Sequence, residues 1–150
     1  MGQTRAAVTS TLPAVVRRVL VVDDSDLWRR SLRTIFEAQA FWQIVGEASD
    51  GWDALEQVER LDPGLILLDV ALPRLNGIET AGRLLERTRA PKILFMSAHT
   101  SPDIADAALA TGAHGYLLKG DAGGELLRAM ETVARGKRFV STKLAGRFPA

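Results

Sequence analysis

The sequence predicts an α/β fold in which a parallel sheet is covered by helices on both faces. Five short apolar runs alternate along the chain with five stretches of helical periodicity, an order that implies right-handed crossovers between parallel strands. Several of these runs are continuously apolar rather than alternating, as expected of strands buried on both faces. With 150 residues, the chain is long enough for one such domain with its own core.

The elements alternate without exception from residue 18 onward. The predicted strands are residues 18–24, 42–49, 65–70, 92–98 and 115–119. The predicted helices are residues 26–38, 52–61, 78–88, 102–111 and 124–135. Each helix repeats apolar residues three or four positions apart, which places them on one side of the helix; in the first helix Leu32, Ile35 and Phe36 show this spacing, with Leu27 and Ser31 on the same side.

Local signals mark where several helices begin and end. The second helix stops before Pro63, because the residue that precedes a proline disfavours helical geometry. The fourth begins with Ser101 as a capping residue and Pro102 at its first position, and it ends at Gly112. The fifth ends at Gly136, and its opening, "KGDAGGEL", is loosely specified because two glycines add backbone freedom.

The regions outside the alternating pattern are short. Residues 1–16 are interpreted as a flexible N-terminal extension, 17–136 as the domain, and 137–150 as a tail that forms an extended piece with a short helix or linker. There is no cysteine, which excludes disulfides and thiolate chemistry. No apolar run approaches the ~20 residues that span a bilayer, and no secretory signal is evident, so a cytoplasmic location is expected. The net charge of +1 argues against a largely nucleic-acid-binding surface.

Four of the predicted strands end in charged or hydroxyl-bearing residues. Asp23 and Asp24 end the first strand, Asp69 the third, Ser97 the fourth and Lys119 the fifth. The carboxyl ends of parallel strands lie at one edge of a sheet, where ligands bind in open α/β folds. These side chains are therefore expected to meet in one crevice.

Each of these residues also has a simpler explanation. The first two acids could cap the helix that follows, Asp69 could open a turn, and Ser97 and Lys119 could be ordinary residues at strand ends. The simpler explanations do not account for the convergence. Three carboxylates in one crevice repel one another, so at least one should resist ionisation unless a cation lies among them. Mg²⁺ or an ammonium group would serve, and aspartate is also a nucleophile toward phosphoryl groups.

The motifs "VLVVDDSD", "LILLDVALPRLNGIE", "FMSAH" and "GYLLK" resemble, in order and spacing, the receiver domain of two-component response regulators. The resemblance covers roughly residues 18 to 136. "AHGYLLK" and "ETVARGKRFVS" are similar to the subfamily in which a receiver precedes a helix-turn-helix output domain that regulates transcription. The resemblance implies a flavodoxin-like (βα)5 fold, doubly wound, with five parallel strands in the order 2-1-3-4-5.

The resemblance also implies roles for the residues at the strand ends. Asp69 would be the phosphoacceptor. Mg²⁺ would be held by Asp23, Asp24, Asp69 and the backbone carbonyl of Ala71, and Lys119 would pair with the phosphoryl oxygens. The domain would then catalyse its own phosphorylation and slow dephosphorylation and would not be a metabolic enzyme.

The resemblance also implies roles for four further positions in switching and in hydrolysis. Ser97 would hydrogen-bond the attached phosphoryl group, and Tyr116 would be the aromatic whose rotamer follows Ser97. Ala71 and His99 occupy the two positions thought to tune hydrolysis. Ala71 has no polar group to orient water, which favours slow hydrolysis, while His99 is more simply explained as an exposed loop residue.

The partner implied is a sensor histidine kinase or a histidine phosphotransfer protein. Phosphorylation would alter the face formed by residues 102–135 and present it to a downstream target or to a second copy of the chain. The tail after Gly136 is too short to be the DNA-binding domain of the subfamily. The chain is therefore expected to be a stand-alone receiver or a fragment, with no DNA-binding domain and no membrane contact.

Two other functions compete with this one. A haloacid-dehalogenase-type phosphatase would use the acid-x-acid pattern of Asp24 and Asp26, but it gives Asp69 no role and expects adjacent acids late in the chain, which are missing. A receiver-like interaction module that is never phosphorylated usually lacks an acid, the acceptor or the lysine. All of these are present here.

Overall fold

The computed structural model describes residues 17–145, so the predicted extension and the last five residues of the predicted tail lie outside it. The described chain forms one parallel sheet in the order β2-β1-β3-β4-β5-β6. The strands are β1 Arg17–Val22, β2 Trp42–Ala48, β3 Leu65–Asp69, β4 Lys92–Ser97, β5 Gly115–Leu118 and β6 Phe139–Val140. The helices are α1 Asp26–Glu37, α2 Gly51–Leu61, α3 Gly77–Leu85, α4 Pro102–Leu109 and α5 Ala122–Ala134.

The α/β fold and the order of the first five strands are confirmed, but the expected count of five strands is wrong by one. A short sixth strand pairs in parallel with β5, with Phe139 opposite Gly115. Just beyond it, the hydroxyl of Ser141 accepts a hydrogen bond from the Leu118 N–H, at 2.7 Å. The sequence showed only an extended piece here, because two residues are too few to display strand periodicity.

Two hydrophobic clusters explain why the central runs are continuously apolar. One cluster packs α2, α3 and α4 against one face of the sheet, and the other packs α1 and α5 against the opposite face. Successive residues of β1 alternate between them: Leu20 and Val22 lie in the first cluster, and Val19 and Val21 in the second. Each central strand must therefore be apolar on both faces. Within residues 17–145, no helix has the length and hydropathy needed to cross a bilayer.

The helix starts follow capping chemistry, with two departures from expectation. Ser25 and Asp50 cap α1 and α2 by accepting the backbone N–H three residues further on. Ser101 occupies the cap position of α4 but makes no side-chain capping bond, and Pro102 alone marks that start. Helix α5 begins at Ala122, earlier than predicted, because a 3-10 turn leads into it from β5.

Candidate functional site

The carboxyl ends of the strands bring the predicted acids, hydroxyl and amine to one edge of the sheet. Asp23 follows β1, Asp69 ends the neighbouring β3, and Ser97 ends β4, which lies beside β3. All three are buried, at 2%, 6% and 0% exposure. Lys119 follows β5, and its side chain is only 17% exposed. Buried charged groups of this kind require partners.

Lys119 is the cation at the centre of the crevice. Its Nζ lies 2.6 Å from Oδ2 of Asp23 and 3.3 Å from Oδ2 of Asp69. The opposite oxygens of both acids accept backbone hydrogen bonds: Oδ1 of Asp23 from the Ser25 N–H at 2.8 Å, and Oδ1 of Asp69 from the Ala71 N–H at 3.2 Å. Both carboxylates are thus held in fixed orientations before any ligand arrives.

The acidic group is also arranged to hold a metal ion. Asp23, Asp24 and Asp69 each offer one carboxylate oxygen, and these oxygens lie within 4.8 Å of one another. Burial and the charge of Asp23 raise the pKa of Asp69, even though Lys119 opposes the shift. One ammonium therefore does not balance the acids, and a hard divalent cation with a preference for oxygen ligands fits the donor set. Asp24 is exposed, which leaves the crevice open to water.

Ser97 and Tyr116 are joined through the backbone of His99. The hydroxyl of Ser97 accepts the His99 N–H at 2.9 Å, and the Tyr116 hydroxyl donates to the His99 carbonyl at 3.0 Å. Tyr116 is fully buried, and that burial raises the pKa of its phenol. A movement of Ser97 would therefore be transmitted to the loop that Tyr116 contacts.

The two positions that the resemblance links to hydrolysis lie at the protein surface. Ala71 and the side chain of His99 are both exposed. The backbone of Ala71 already contacts Asp69, as described above, while its side chain offers no hydrogen-bonding group.

Two features of this edge were not predicted. A Cβ atom on Gly77 would lie 1.9 Å from the Asp69 carbonyl oxygen, so the close approach of the β3–α3 loop to the acid requires glycine there. The second feature is the ring of Trp28, which lies beside Lys119, with the Nζ 5.2 Å from the ring centroid. The contact of Trp28 with Lys119 produces no sequence pattern because the two residues are remote along the chain, and the approach of Gly77 to Asp69 depends on the path of the loop between them.

The fold and this crevice define an α/β domain with a charged site at the carboxyl edge of its sheet. Comparison with protein families identifies the class: the model described as response regulator receiver domain matches residues 19–131. The chain belongs to the response regulator receiver family. It is a phosphoacceptor signalling domain, and neither a dehalogenase-type phosphatase nor an unphosphorylated interaction module is favoured.

Similar proteins include bacterial response regulators and transcriptional regulatory proteins. The chain is 36% identical over 126 residues to the nitrate/nitrite response regulator protein NarL of Escherichia coli K12, covering 84% of this chain and 58% of NarL. It is 32% identical over 127 residues to the transcriptional regulatory protein DegU of Brevibacillus brevis, covering 85% of this chain and 54% of DegU. The chain thus spans little more than half the length of these relatives.

Solved structures show the same fold. A two-component response regulator of the LuxR family from Aurantimonas sp. SI85-9A1 superposes with a TM-score of 0.82 at 29% identity, covering 87% of this chain and 94% of that one. The response regulator domain of Thermotoga maritima CheB superposes with a TM-score of 0.74 at 30% identity, covering 80% of this chain and 97% of the other. The flavodoxin-like receiver fold is confirmed.

Proposed function

We propose that Asp69 is the phosphoacceptor and that the chain takes a phosphoryl group from a histidine kinase or a histidine phosphotransfer protein. The observation that carries the proposal is the placement of the Asp69 carboxylate, which is buried at the sheet edge 3.3 Å from the Lys119 ammonium and grouped with Asp23 and Asp24. Phosphoryl transfer depends mainly on positioning and charge stabilisation. This crevice offers both.

In the proposed reaction, a carboxylate oxygen of Asp69 attacks phosphorus in line with the leaving group. The new O–P bond forms as the P–N bond of the donor phosphohistidine breaks, and the electron pair leaves with the imidazole nitrogen. Lys119 pairs with the phosphoryl oxygens as charge moves onto them.

Mg²⁺ would be held by Asp23, Asp24, Asp69 and the Ala71 carbonyl, and it would supply further charge neutralisation for the transferred group. Ala71 offers no side-chain group to orient water, and this supports slow hydrolysis of the acyl phosphate. His99, the other position that the resemblance links to hydrolysis, has an exposed side chain.

In the proposed signalling step, phosphorylation changes the hydrogen bonds of Ser97 and Tyr116. The phosphoryl group adds negative charge and acceptor oxygens next to Ser97. Ser97 would then exchange its bond from the His99 N–H for one that it donates to the phosphoryl group, and Tyr116 would respond through the same loop. The face formed by residues 102–135 would carry the change to a second copy or to a target in the cytoplasm.

The proposal is tested by incubating the protein with acetyl phosphate and MgCl2 and measuring the intact mass. We expect a gain of one phosphoryl group in the wild type and in the control Asp50→Asn, since Asn also caps helices well. We expect no gain in Asp69→Asn. Labelling that survives Asp69→Asn but is lost in Asp24→Asn would contradict the proposal and point to the dehalogenase-type reaction.

A further inference from the structure

The indole ring of Trp28 provides a third contact for the ammonium of Lys119. The Nζ lies 5.2 Å from the ring centroid, within the range of a cation–π interaction. The other two contacts of this ammonium are the carboxylates of Asp23 and Asp69. Of these three contacts, the aromatic ring is the one that carries no formal charge.

The position of Trp28 is fixed relative to the acids by the start of α1. The Ser25 N–H donates to Asp23, and the Ser25 hydroxyl accepts the Trp28 N–H at 3.1 Å. The helix that carries the ring is thus tied to the same carboxylate that Lys119 contacts most closely.

The indole N–H does not hold the ring in place. Among residues 17–145, the Nε1 atom of Trp28 is buried and has no hydrogen-bond partner. An unpartnered donor is a cost to the folded state, so the indole is present here in spite of its N–H group. The group of Trp28 that interacts with the crevice is the π face of its ring, which lies against the Lys119 ammonium.

We propose that Trp28 is a positioning residue that holds the Lys119 ammonium toward Asp69; this inference rests on the proposed phosphoacceptor function. The carboxylates in contact with Lys119 also belong to the group of acids that would hold Mg²⁺. A metal ion at those oxygens weakens their hold on the ammonium, whereas the ring face does not bind Mg²⁺. The ring therefore keeps Lys119 available for the incoming phosphoryl oxygens.

The simpler explanation is packing, because Trp28 also lies against the hydrophobic cluster between α1, α5 and the sheet. Two substitutions separate the explanations. Trp28→Leu keeps an apolar side chain but removes the π face, whereas Trp28→Phe keeps a π face and removes only the unpartnered N–H. A packing role is served by either variant, and a positioning role only by Phe.

The first experiment measures the rate of phosphorylation by acetyl phosphate with MgCl2, by intact mass. We expect Trp28→Leu to be slowed roughly three- to tenfold, as the loss of one cation–π contact predicts, and Trp28→Phe to stay within about twofold of wild type. Trp52→Leu is the matched control: it removes another tryptophan–cation pair, 5.0 Å from Arg83, and should leave the rate unchanged. Equal rates in Trp28→Leu and wild type would overturn the inference while leaving the phosphoacceptor assignment intact.

The second experiment needs no activity, and it tests the contact between the ring and the ammonium even if Trp28→Leu does not fold. In a Trp42→Phe/Trp52→Phe background, Trp28 is the sole source of indole fluorescence. We expect Lys119→Met to change its emission maximum and intensity, because the ammonium no longer lies over the ring, and the exposed control Lys143→Met to leave both unchanged. Identical emission from the Lys119→Met and parent proteins would overturn the inference. An unlabelled wild type in the first experiment would instead overturn the proposed function.

Discussion

At the amino end of the sheet, Arg18 donates hydrogen bonds to the carbonyl oxygens of Leu61 and Asp62, where α2 ends. At the carboxyl end, two buried acids share a single ammonium, and a third acid lies beside them. In the first arrangement, the guanidinium of Arg18 has backbone carbonyl oxygens at the end of a helix as its hydrogen-bond partners. The second leaves negative charge in excess. The amino end is arranged for stability, and the carboxyl end gives up stability, in agreement with the proposed phosphoacceptor function.

The largest expected effect comes from the close packing beneath Asp69. Gly77→Ala forces a Cβ against the Asp69 carbonyl, and we expect the free energy of unfolding to fall by roughly 2–3 kcal/mol. Gly82→Ala, in the same helix with open space around it, should instead raise that free energy by about 0.5–1 kcal/mol. Urea denaturation measures both. Equal behaviour of the two variants would contradict the tight approach of the loop.

Removing one cationic side chain from each end of the sheet tests the comparison between the two ends more directly. Without Mg²⁺, Lys119→Met should lower the free energy of unfolding by roughly 1–3 kcal/mol, because two buried carboxylates lose their partner. Arg18→Met should cost less than about 1 kcal/mol.

Adding MgCl2 should stabilise Lys119→Met more than the wild type, since the ammonium no longer competes for the carboxylates. Arg18→Met should respond to MgCl2 as the wild type does. Urea denaturation with and without MgCl2 provides the measurement. An equal response of Lys119→Met and wild type would show that the metal does not share these oxygens with the lysine.

The smallest effect is a pH dependence at the amino end. His114 accepts the Ile93 N–H at its Nδ1 atom, 3.1 Å away, and burial, together with the charge of Lys92, lowers its pKa below the ordinary value of 6.5. The unfolded chain then takes up a proton at a higher pH than the folded one. The stability due to this group is present above pH 6.5 and declines as the pH falls toward the folded-state pKa.

We expect His114→Asn to show a weaker loss of stability than wild type between neutral and mildly acidic pH, since Asn can still accept the Ile93 N–H without titrating. Thermal unfolding at several pH values measures this difference. A profile for His114→Asn that matches wild type would place the pH-sensitive group elsewhere.

The sequence pattern was sufficient for the α/β class and for the edge at which the site lies, whereas the order of the first five strands was implied by the resemblance to receiver domains. Continuous apolar runs showed that the strands are covered on both faces, and the rules of parallel crossovers then placed Asp23, Asp69 and Ser97 at one edge. The sixth strand was not predicted, because its two residues gain their order from pairing with β5 rather than from their own pattern. The opening of α5 was misplaced for a related reason: two glycines weaken the local signal, and the preceding 3-10 turn sets the start.

By itself, the sequence determined which chemical groups stand at the strand ends, because that follows from local periodicity and from the connectivity of an alternating chain. Only the tertiary structure decided how these groups meet. The distances from Lys119 to the two acids and the ring of Trp28 beside its ammonium join residues that are remote along the chain, and the closeness of Gly77 to Asp69 depends on the path of the loop between them. Such contacts depend on the twist of the sheet and on side-chain rotamers, and neither leaves a periodic pattern in the sequence.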